Sequence, residues 1–515
     1  MTELCRQYVD ASVTIRRVVG EAIRDIPRIL IDTTNGRLLD KAQQALAFEE
    51  LPIYSELVSS MTTHLDFARI REEVKEYYRY VMLSHKWEHN EPLLQKVENI
   101  SVYELEASPE NSKLQMFCSI VRSLGFKWAW SDTCCVDKTN NVVLQESLVA
   151  MFTWYHGSSL TIVYLRGVSS RFGEPGDLRK SIWNTRAWTY QEYVASKVVR
   201  FYTEDWKPYL GLDMFNHRES PLIISEMEQA TGVSVQELVT LRPALDRVRE
   251  KLYLASTRQT TLVEDIAYSL FGIFNIAITV IYGEGNRAVG RLLEHILTGS
   301  GDVTVLAWTG RSGRYNSCLP GDLTVYNELP ASHVPLPIGS ADMTTLVEVL
   351  RASLPDPFLA EMLYTRLNEL PLPSLAASRL KLSGICFPLD ELIPTSGSNS
   401  DSRLYVYRAT TSALADVEVK TRDDLSGMKN LILVHPWIRP LLDQEFSQGV
   451  ITFDKTTRAL RFLACLMQPF GALLLAPLSR VEYKRVAADS LIVVRVCKEV
   501  LLTDLMDNVR TIDIQ

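Results

Sequence analysis

The sequence predicts an α/β protein: a parallel sheet flanked by helices, then a helical extension and a separate β-rich C-terminal domain. Three observations lead there. Between residues 80 and 206, strand-like and helix-like segments alternate, the pattern of successive βαβ units. Several of those strands are apolar on both faces, which suits a sheet covered on both sides. Beyond residue 311, short apolar runs are separated by polar loops, as in a β-rich domain.

Bulk properties narrow the function. With 515 residues, 46% hydrophobic and 23% charged, the chain has material for several packed domains. A net charge of −8 without any Lys/Arg-rich run argues against nucleic acid as a partner. A small anionic ligand needs only a local basic spot and is not excluded. The eight cysteines, Cys5, Cys118, Cys134, Cys135, Cys318, Cys386, Cys465 and Cys497, form no C-x-x-C. They read as buried free thiols of a reducing compartment. The N-terminal stretch "MTELCRQYVDASVTIRRV" has no apolar signal region, and the most apolar run, Leu270 to Tyr282, is too short to span a bilayer. A soluble, cytoplasmic protein without a membrane span is expected.

Element by element, residues 1–75 read as a helical segment, from helical spacing in "QQALAFEELPIYSELVSSM" and the helix formers of "ARIREEVKEYY". "YVMLSHKW" (80–87) is strand-like. "KLQMFCSIVRSLGF" (113–126) has helical spacing and stops at Gly125. "KWAWSDTCCV" (127–136) is a second strand. "LQESLVAMFTWYHGS" (144–158) is a helix ending at Gly157, and "SLTIVYLRG" (159–167) a third strand. "TRAWTYQEYVASKV" opens a helix with Thr185 as N-cap, and "VVRFYTEDW" (198–206) is a fourth strand. The α/β domain thus covers 76–208. Residues 209–310 form the helical extension, with "STRQTTLVEDIAYSLFGIF" and "GNRAVGRLLEHILT" as its clearest helices and "IYGEG" as a turn. "TGRSGRYNSCLPGD" (309–322) has linker composition. In 311–515, "PFLAEMLYTRLNEL" is amphipathic, and six runs read as strands: "RLKLSGICF", "RLYVYRAT", "NLILVHP", "ALRFLACLM", "ALLLAPL" and "SLIVVRVC". The longest polar loop between them is "IPTSGSNSDSR".

In parallel α/β sheets, ligands sit beyond the carboxyl ends of the strands, so chemistry is sought in the loops after Ser84, Asp132 and Leu165. Phosphate-loop glycine patterns are absent. Trp188 and Glu192 are four apart and share a helix face. Relative to the stripe Ala187, Tyr190, Val194 and Val198, Glu192 lies about 140° away at ~3.6 residues per turn. It flanks the core, which fits a cleft wall or an exposed acid equally. Trp87, Trp128, Trp130 and Trp188 suit core packing as well as ligand stacking, and Asp132 suits a turn as well as a ligand contact. His85 and His89 are four apart, but Pro92 and the polar run around them indicate a loop, and no third ligand is near in sequence. No metal site is expected.

Three segments in order resemble the fungal heterokaryon-incompatibility (HET) domain: "YVMLSHKW" its opening Y-x-x-L-S-x-x-W, "WAWSDTCCVDK" its W-x-D-x-x-C-I-(N/D), and "TRAWTYQE" its R-x-W-T-x-Q-E. The stretch "TTLVEDIAYSLFGIFNIAITVIYGEGNRAVGRLLEHI" followed by "GDVTVLAW" is similar to an extension found in that family. His85 and Glu88 depart from its pattern, which has an aromatic after the serine and a glycine after the tryptophan; without that glycine a close backbone approach to phosphate is harder. The family in turn is similar to TIR domains, which implies a flavodoxin-like sheet and, in some members, cleavage of NAD by a glutamate in W-x-x-x-E. Trp188 and Glu192 reproduce that spacing.

The resemblance implies an NAD glycohydrolase of fungal nonself recognition and cell death, with NAD as substrate and no further cofactor. Glu192 is then catalytic; Ser84, His85, Lys86, Trp87, Asp132, Arg186 and Trp188 are the candidate substrate-binding residues. Breaking the nicotinamide–ribose bond releases a neutral pyridine, so one carboxylate beside the ribose suffices. The alternatives are an inactive module signalling by oligomerisation and a fold recruited to small-molecule biosynthesis. Self-association is expected in the first two cases, with the C-terminal domain available to a protein partner.

Overall fold

The computed structural model describes all residues except 1, 62–63, 169–173, 233, 235–241, 328–340, 355, 396–404, 416, 438–453, 480 and 498–501. The loop "IPTSGSNSDSR" lies mostly outside the described residues. The chain divides into two compact units. The first holds residues 1–243, 258–261 and 268–280; the second holds 244–257, 262–267 and 281–515.

The first unit begins with helix α1 (Thr2–Ala22), a hairpin of β1 (Ile29–Asp32) and β2 (Arg37–Asp40), and helices α2 (Lys41–Glu49), α3 (Pro52–Ser60) and α4 (Phe67–Tyr77). The hairpin interrupts the helical reading of 1–75. Its sequence signal is the Asn35-Gly36 pair: Gly36 has φ 72°, and its N–H donates to Asp32 O at 2.7 Å. The helices bury Ile15, Phe48, Leu57 and Ile70 in the same core as the sheet.

Next come β3 (Tyr80–His85), the short α5 (Leu94–Val97), α6 (Pro109–Ser123), β4 (Trp128–Trp130), α7 (Asn141–Gly157), β5 (Leu160–Leu165), the short α8 (Asp177–Lys180), α9 (Ala187–Ala195) and β6 (Val199–Thr203). Local signals set these boundaries. Ser108 caps α6 by accepting from Asn111 N, with Pro109 in the first turn; Gly125, at φ 84°, lets the chain leave it. Asn140 caps α7 by accepting from Val142 N and Val143 N. At α9 the N-cap is Arg186, which makes no side-chain cap bond. Thr185, expected there, instead donates to Ile182 O at 2.8 Å within a preceding 3₁₀ turn.

The sheet order is β2-β1-β4-β3-β5-β6. Strands β4, β3, β5 and β6 are mutually parallel; β1 adds antiparallel to β4. Every residue of β3, β5 and β6 is buried, in accord with the apolar runs. The path steps from β3 to β4 on one side and then crosses to β5 on the other. With right-handed crossovers α6 covers one face, α7 and α9 the other. The crevice where the path reverses lies between the carboxyl ends of β3 and β5, at the pairs Ser84–Val163 and His85–Tyr164. The outer edge of β6 is closed by side chains: Val199 N donates to Asn216 Oδ1 and Phe201 N to His217 Nδ1, each at 3.1 Å.

Part of the extension belongs to this unit. The sequence predicts one helix over "STRQTTLVEDIAYSLFGIF", but it is broken into short helices Asp265–Tyr268 and Phe271–Phe274. The second packs on α7 and α9, and a Cβ on Gly272 would meet Phe152 at 2.2 Å. Close packing on α7 therefore sets its position.

The second unit carries helices Val248–Ser256, Arg287–Ser300, Ala341–Ser353 and Pro357–Asn368, then β7 (Ser374–Ala376), β8 (Arg379–Pro388), β9 (Glu391–Pro394), β10 (Tyr405–Thr410), β11 (Leu414–Ala415), β12 (Val417–Thr421), β13 (Ile432–Pro436), helix Lys455–Leu466, β14 (Phe470–Pro477), β15 (Glu482–Val486), β16 (Ile492–Val496), helix Leu502–Asp507 and β17 (Val509–Ile514). Strands β13, β8, β17, β15 and β14 pair in a closed ring, and β12-β10-β9 form a separate sheet. "ALRFLACLM", expected as a strand, lies in helix Lys455–Leu466. Asp454 caps that helix by accepting from Thr457 N, and Ala459, Phe462, Leu463 and Leu466 are buried at helical spacing. A short apolar run does not separate strand from helix by itself. The stretch of linker composition is packed: Asn316, Ser317 and Cys318 are buried.

A methyl group on Gly36 would stand 2.5 Å from Ser101 Oγ and 3.1 Å from Val102 N, at a backbone angle unfavourable to L-residues. Gly36→Ala is expected to cost about 1–3 kcal/mol, read as a lowered thermal midpoint. An unchanged midpoint would contradict the close seating of this hairpin on the 101–103 turn.

Candidate functional site

The site is built on the carboxyl ends of β3 and β4 and on one face of α9. Ser84 is the penultimate residue of β3 and is fully buried. Its hydroxyl donates to Glu192 Oε2 and accepts from Trp183 Nε1 at 2.8 Å. Two elements distant in sequence are thereby tied at one oxygen.

Glu192 is 5% exposed. The helical-wheel position beside the core is superseded because α9 is enclosed: of its nine residues, only Trp188 and Val194 are not buried. Burial, and secondarily the charge of Asp132, push the Glu192 carboxyl up to about 8. The Ser84 hydrogen bond and the charges of Arg186 and Arg258 oppose this more weakly. At neutral pH the carboxyl is therefore mostly protonated.

Asp132 follows β4 and behaves in the opposite way. Burial alone would raise its carboxyl. Hydrogen bonding and charge from His85, the charge of Lys138 and a hydrogen bond from Trp87 outweigh it and hold Asp132 below its ordinary value. His85 Nε2 lies 3.1 Å from Asp132 Oδ1, and Trp87 Nε1 donates to Oδ2 at 2.6 Å. Two carboxyl groups in one crevice thus have their titrations driven apart, the arrangement by which sites keep one acid neutral and one charged.

His85 is the last residue of β3 and is buried; it is not a loop residue. Its Nδ1 lies 3.6 Å from Glu91 Oε2. Glu91 is itself paired with Lys113, Nζ to Oε1 at 2.6 Å, both side chains being buried. Lys113 Nζ also donates to Lys86 O at 3.1 Å, which fixes the backbone after β3. Trp87 is 42% exposed, with the Lys138 ammonium 3.4 Å from its ring centroid. Glu88, standing where the family has glycine, pairs with Arg166.

The remaining candidates lie around this centre. The Lys86 side chain is half-buried and has no hydrogen-bond or ion-pair partner among the described residues. Arg186 makes no ion pair with Glu192; its Nη1 donates to Thr261 Oγ1 at 3.5 Å, and only its charge reaches the carboxyl. Trp188 packs half-buried against the core, one turn from Glu192. The structure thus forms two hydrogen-bonded groups, Ser84 with Glu192 and Trp183, and His85 and Trp87 with Asp132, which meet at the adjacent β3 residues Ser84 and His85; the side chains of Lys86, Arg186 and Trp188 lie outside both.

Trp183, Arg258, Glu91, Lys113 and Lys138 take part without having been singled out from sequence. Trp183 stands three residues before Arg186, so nearness to a motif was its signal. Arg258 lies in the extension; its Nη1 donates to Arg186 O at 2.9 Å and Thr189 Oγ1 at 3.2 Å, pinning the first turn of α9. Among the described residues, no group of three or more His, Cys, Asp or Glu is placed to hold a metal ion.

The family model "Heterokaryon incompatibility protein (HET)" matches residues 80–179, which include Ser84 and Asp132 and stop short of α9. The chain thus contains a heterokaryon-incompatibility domain. It is 35% identical over 230 residues to the vegetative incompatibility protein HET-E-1 of Podospora anserina. That match covers 42% of this chain and 16% of the relative, so the chain corresponds to a small part of that protein. No solved structure matches the chain. No helix among the described residues is long and apolar enough to cross a membrane.

A carboxyl whose folded pKa is raised from 4.5 to about 8 holds its proton where the unfolded chain has lost it. Its contribution to stability is full below pH 4.5 and declines as pH rises to about 8. Glu192→Gln does not titrate. Its stability, followed through the thermal midpoint, should gain on the wild type between pH 5 and 8, by up to a few kcal/mol, and then run parallel. Parallel curves throughout that range would show that Glu192 is not a buried, protonated acid.

Proposed function

We propose that this chain acts in heterokaryon incompatibility and that its α/β unit cleaves the nicotinamide–ribose bond of NAD, with Glu192 as the catalytic carboxylate. The observation that carries the reading is the placement of Glu192. It is a buried acid at the carboxyl end of a parallel sheet, where the strand path reverses, beside a second acid kept charged. The parallel strands, numbered by chain order, run 2-1-3-4, the order in which flavodoxin-like sheets begin. This supports the TIR-like reading of the motifs.

In the reaction the C1′–N bond breaks with its electron pair passing to the ring nitrogen, which leaves as neutral nicotinamide. Positive charge develops at C1′, and Glu192, once ionised, stabilises it. A water oxygen then bonds to C1′ and gives up a proton, leaving ADP-ribose. The nicotinamide ring of NAD is cationic, so its arrival favours loss of the Glu192 proton. Ser84 holds the carboxyl in place. Asp132, charged and bound by Trp87, is available to a ribose hydroxyl, and the Lys86 ammonium, without a partner among the described residues, to the pyrophosphate.

The burial of Ser84 and Glu192 also favours a second reading, in which the domain signals by self-association without catalysis. Under the first reading, assembly opens the crevice. The C-terminal unit would serve as sensor or regulator in either case.

The test is nicotinamide release from NAD by concentrated protein, with Glu192→Gln beside it. Release should fall at least a hundredfold in the variant, and wild-type kcat/KM should rise with pH through a pKa of about 8, because the ionised form is the active one. Equal rates in the two proteins would remove Glu192 from the chemistry. Absence of release at every assembly state would leave the signalling module.

A further inference from the structure

In the C-terminal unit, a cavity of about 690 Å³ opens between the 312–317 loop, the turn joining β7 to β8, and β15. Its lining carries Arg314, Arg379 and Lys484 and no acidic side chain. Arg379 is shared with Glu482, Nη2 to Oε1 at 2.9 Å. Arg314 and Lys484 have no hydrogen-bond or ion-pair partner for their side chains among the described residues. Two cations that share one concavity without an ion-pair partner among the described residues raise a positive potential in it.

The frame around them is held by hydrogen bonds. Asn316, 3% exposed, donates to Ser378 O and Ile514 O at 2.9 Å each and accepts from Cys318 N at 2.8 Å. The loop bearing Arg314 is closed by Gly313 N donating to Leu319 O at 2.7 Å. A Cβ at Gly313 would stand 2.9 Å from Pro320 O, so this turn admits only glycine without displacement. Tyr315, also in the lining, is fixed at both ends. Its Cβ and Cγ pack over Gly290, and its hydroxyl donates to Glu294 Oε2 at 2.5 Å. A flat aromatic ring and a cluster of cations thus share a cavity of the size that small-molecule ligands occupy.

We propose that this cavity binds a nucleoside di- or triphosphate, its phosphates met by Arg314, Arg379 and Lys484 and its base laid against Tyr315. This site is distinct from the Glu192 crevice and does not depend on NAD cleavage. The test is calorimetric titration of the full chain with ATP and separately with adenosine, in the wild type and in an R314Q/K484Q double variant. Neither side chain has a hydrogen-bond or ion-pair partner among the described residues, so the variant should keep its thermal midpoint. ATP is expected to bind at least tenfold more tightly than adenosine and to lose at least tenfold in the double variant. Adding Glu192→Gln should leave ATP binding unchanged. Absence of ATP binding to the folded wild type, equal affinity for adenosine, or equal affinity in the folded double variant would overturn the proposal.

Discussion

A carboxyl group taken out of water must either find compensating partners or keep its proton, and the α/β unit is arranged around one such group. Glu192 is supplied by α9 and met by the Ser84 hydroxyl of β3, which in turn receives the Trp183 indole. Neither Arg186 nor Arg258 pairs with it, although both carry charge nearby. The acid therefore stays neutral while the crevice is closed. Ionising it demands either water or a cation beside it. The protonation state of one side chain and the openness of the crevice are two aspects of the same equilibrium.

The surroundings make that closed state specific. The β3 backbone is anchored on the other side of the crevice by the buried Lys113–Glu91 pair. Removing either partner would strand the other charge in the interior. Arg258 reaches from the extension to the first turn of α9. That helix lacks a side-chain N-cap bond and is held by tertiary contacts in its place. The extension is thus part of the α/β unit at these positions, and α9 would be weakly defined without it.

Much of this was legible in the residues. The apolar strand runs at 80–87, 159–167 and 198–206 and the helix stops at Gly125 and Gly157 followed from pattern, whereas the grouping of Ser84, Asp132 and Glu192 was an expectation of the motif resemblance, since spacing alone left Glu192 equally an exposed acid. What was not legible has particular causes. The 29–40 hairpin was hidden by helical segments on either side, with only Asn35-Gly36 to mark it. The helix at 455–466 was read as a strand because its cap, Asp454, lies outside the apolar run. The burial of Glu192 could not be read from a helical wheel, since enclosure by residues 258–261 and 271–274 is set by distant chain. The ion pair of Glu91 with Lys113 joins a loop to a helix at no motif spacing.

The ring of strands in the second unit has a consequence for how that unit is made. Strand β17 pairs with β8 through Ile514–Leu380 and with β15 through Tyr483–Ile514. It completes the ring only after every other strand in it has been synthesised. On a ribosome, β8 and β15 emerge with open edges and wait for residues 509–514 before their hydrogen bonds are satisfied. Closing contacts so distant in sequence is slow and favoured only late. The unit is therefore exposed to mispairing for most of its synthesis, and chaperones that shield strand edges would find it in that interval.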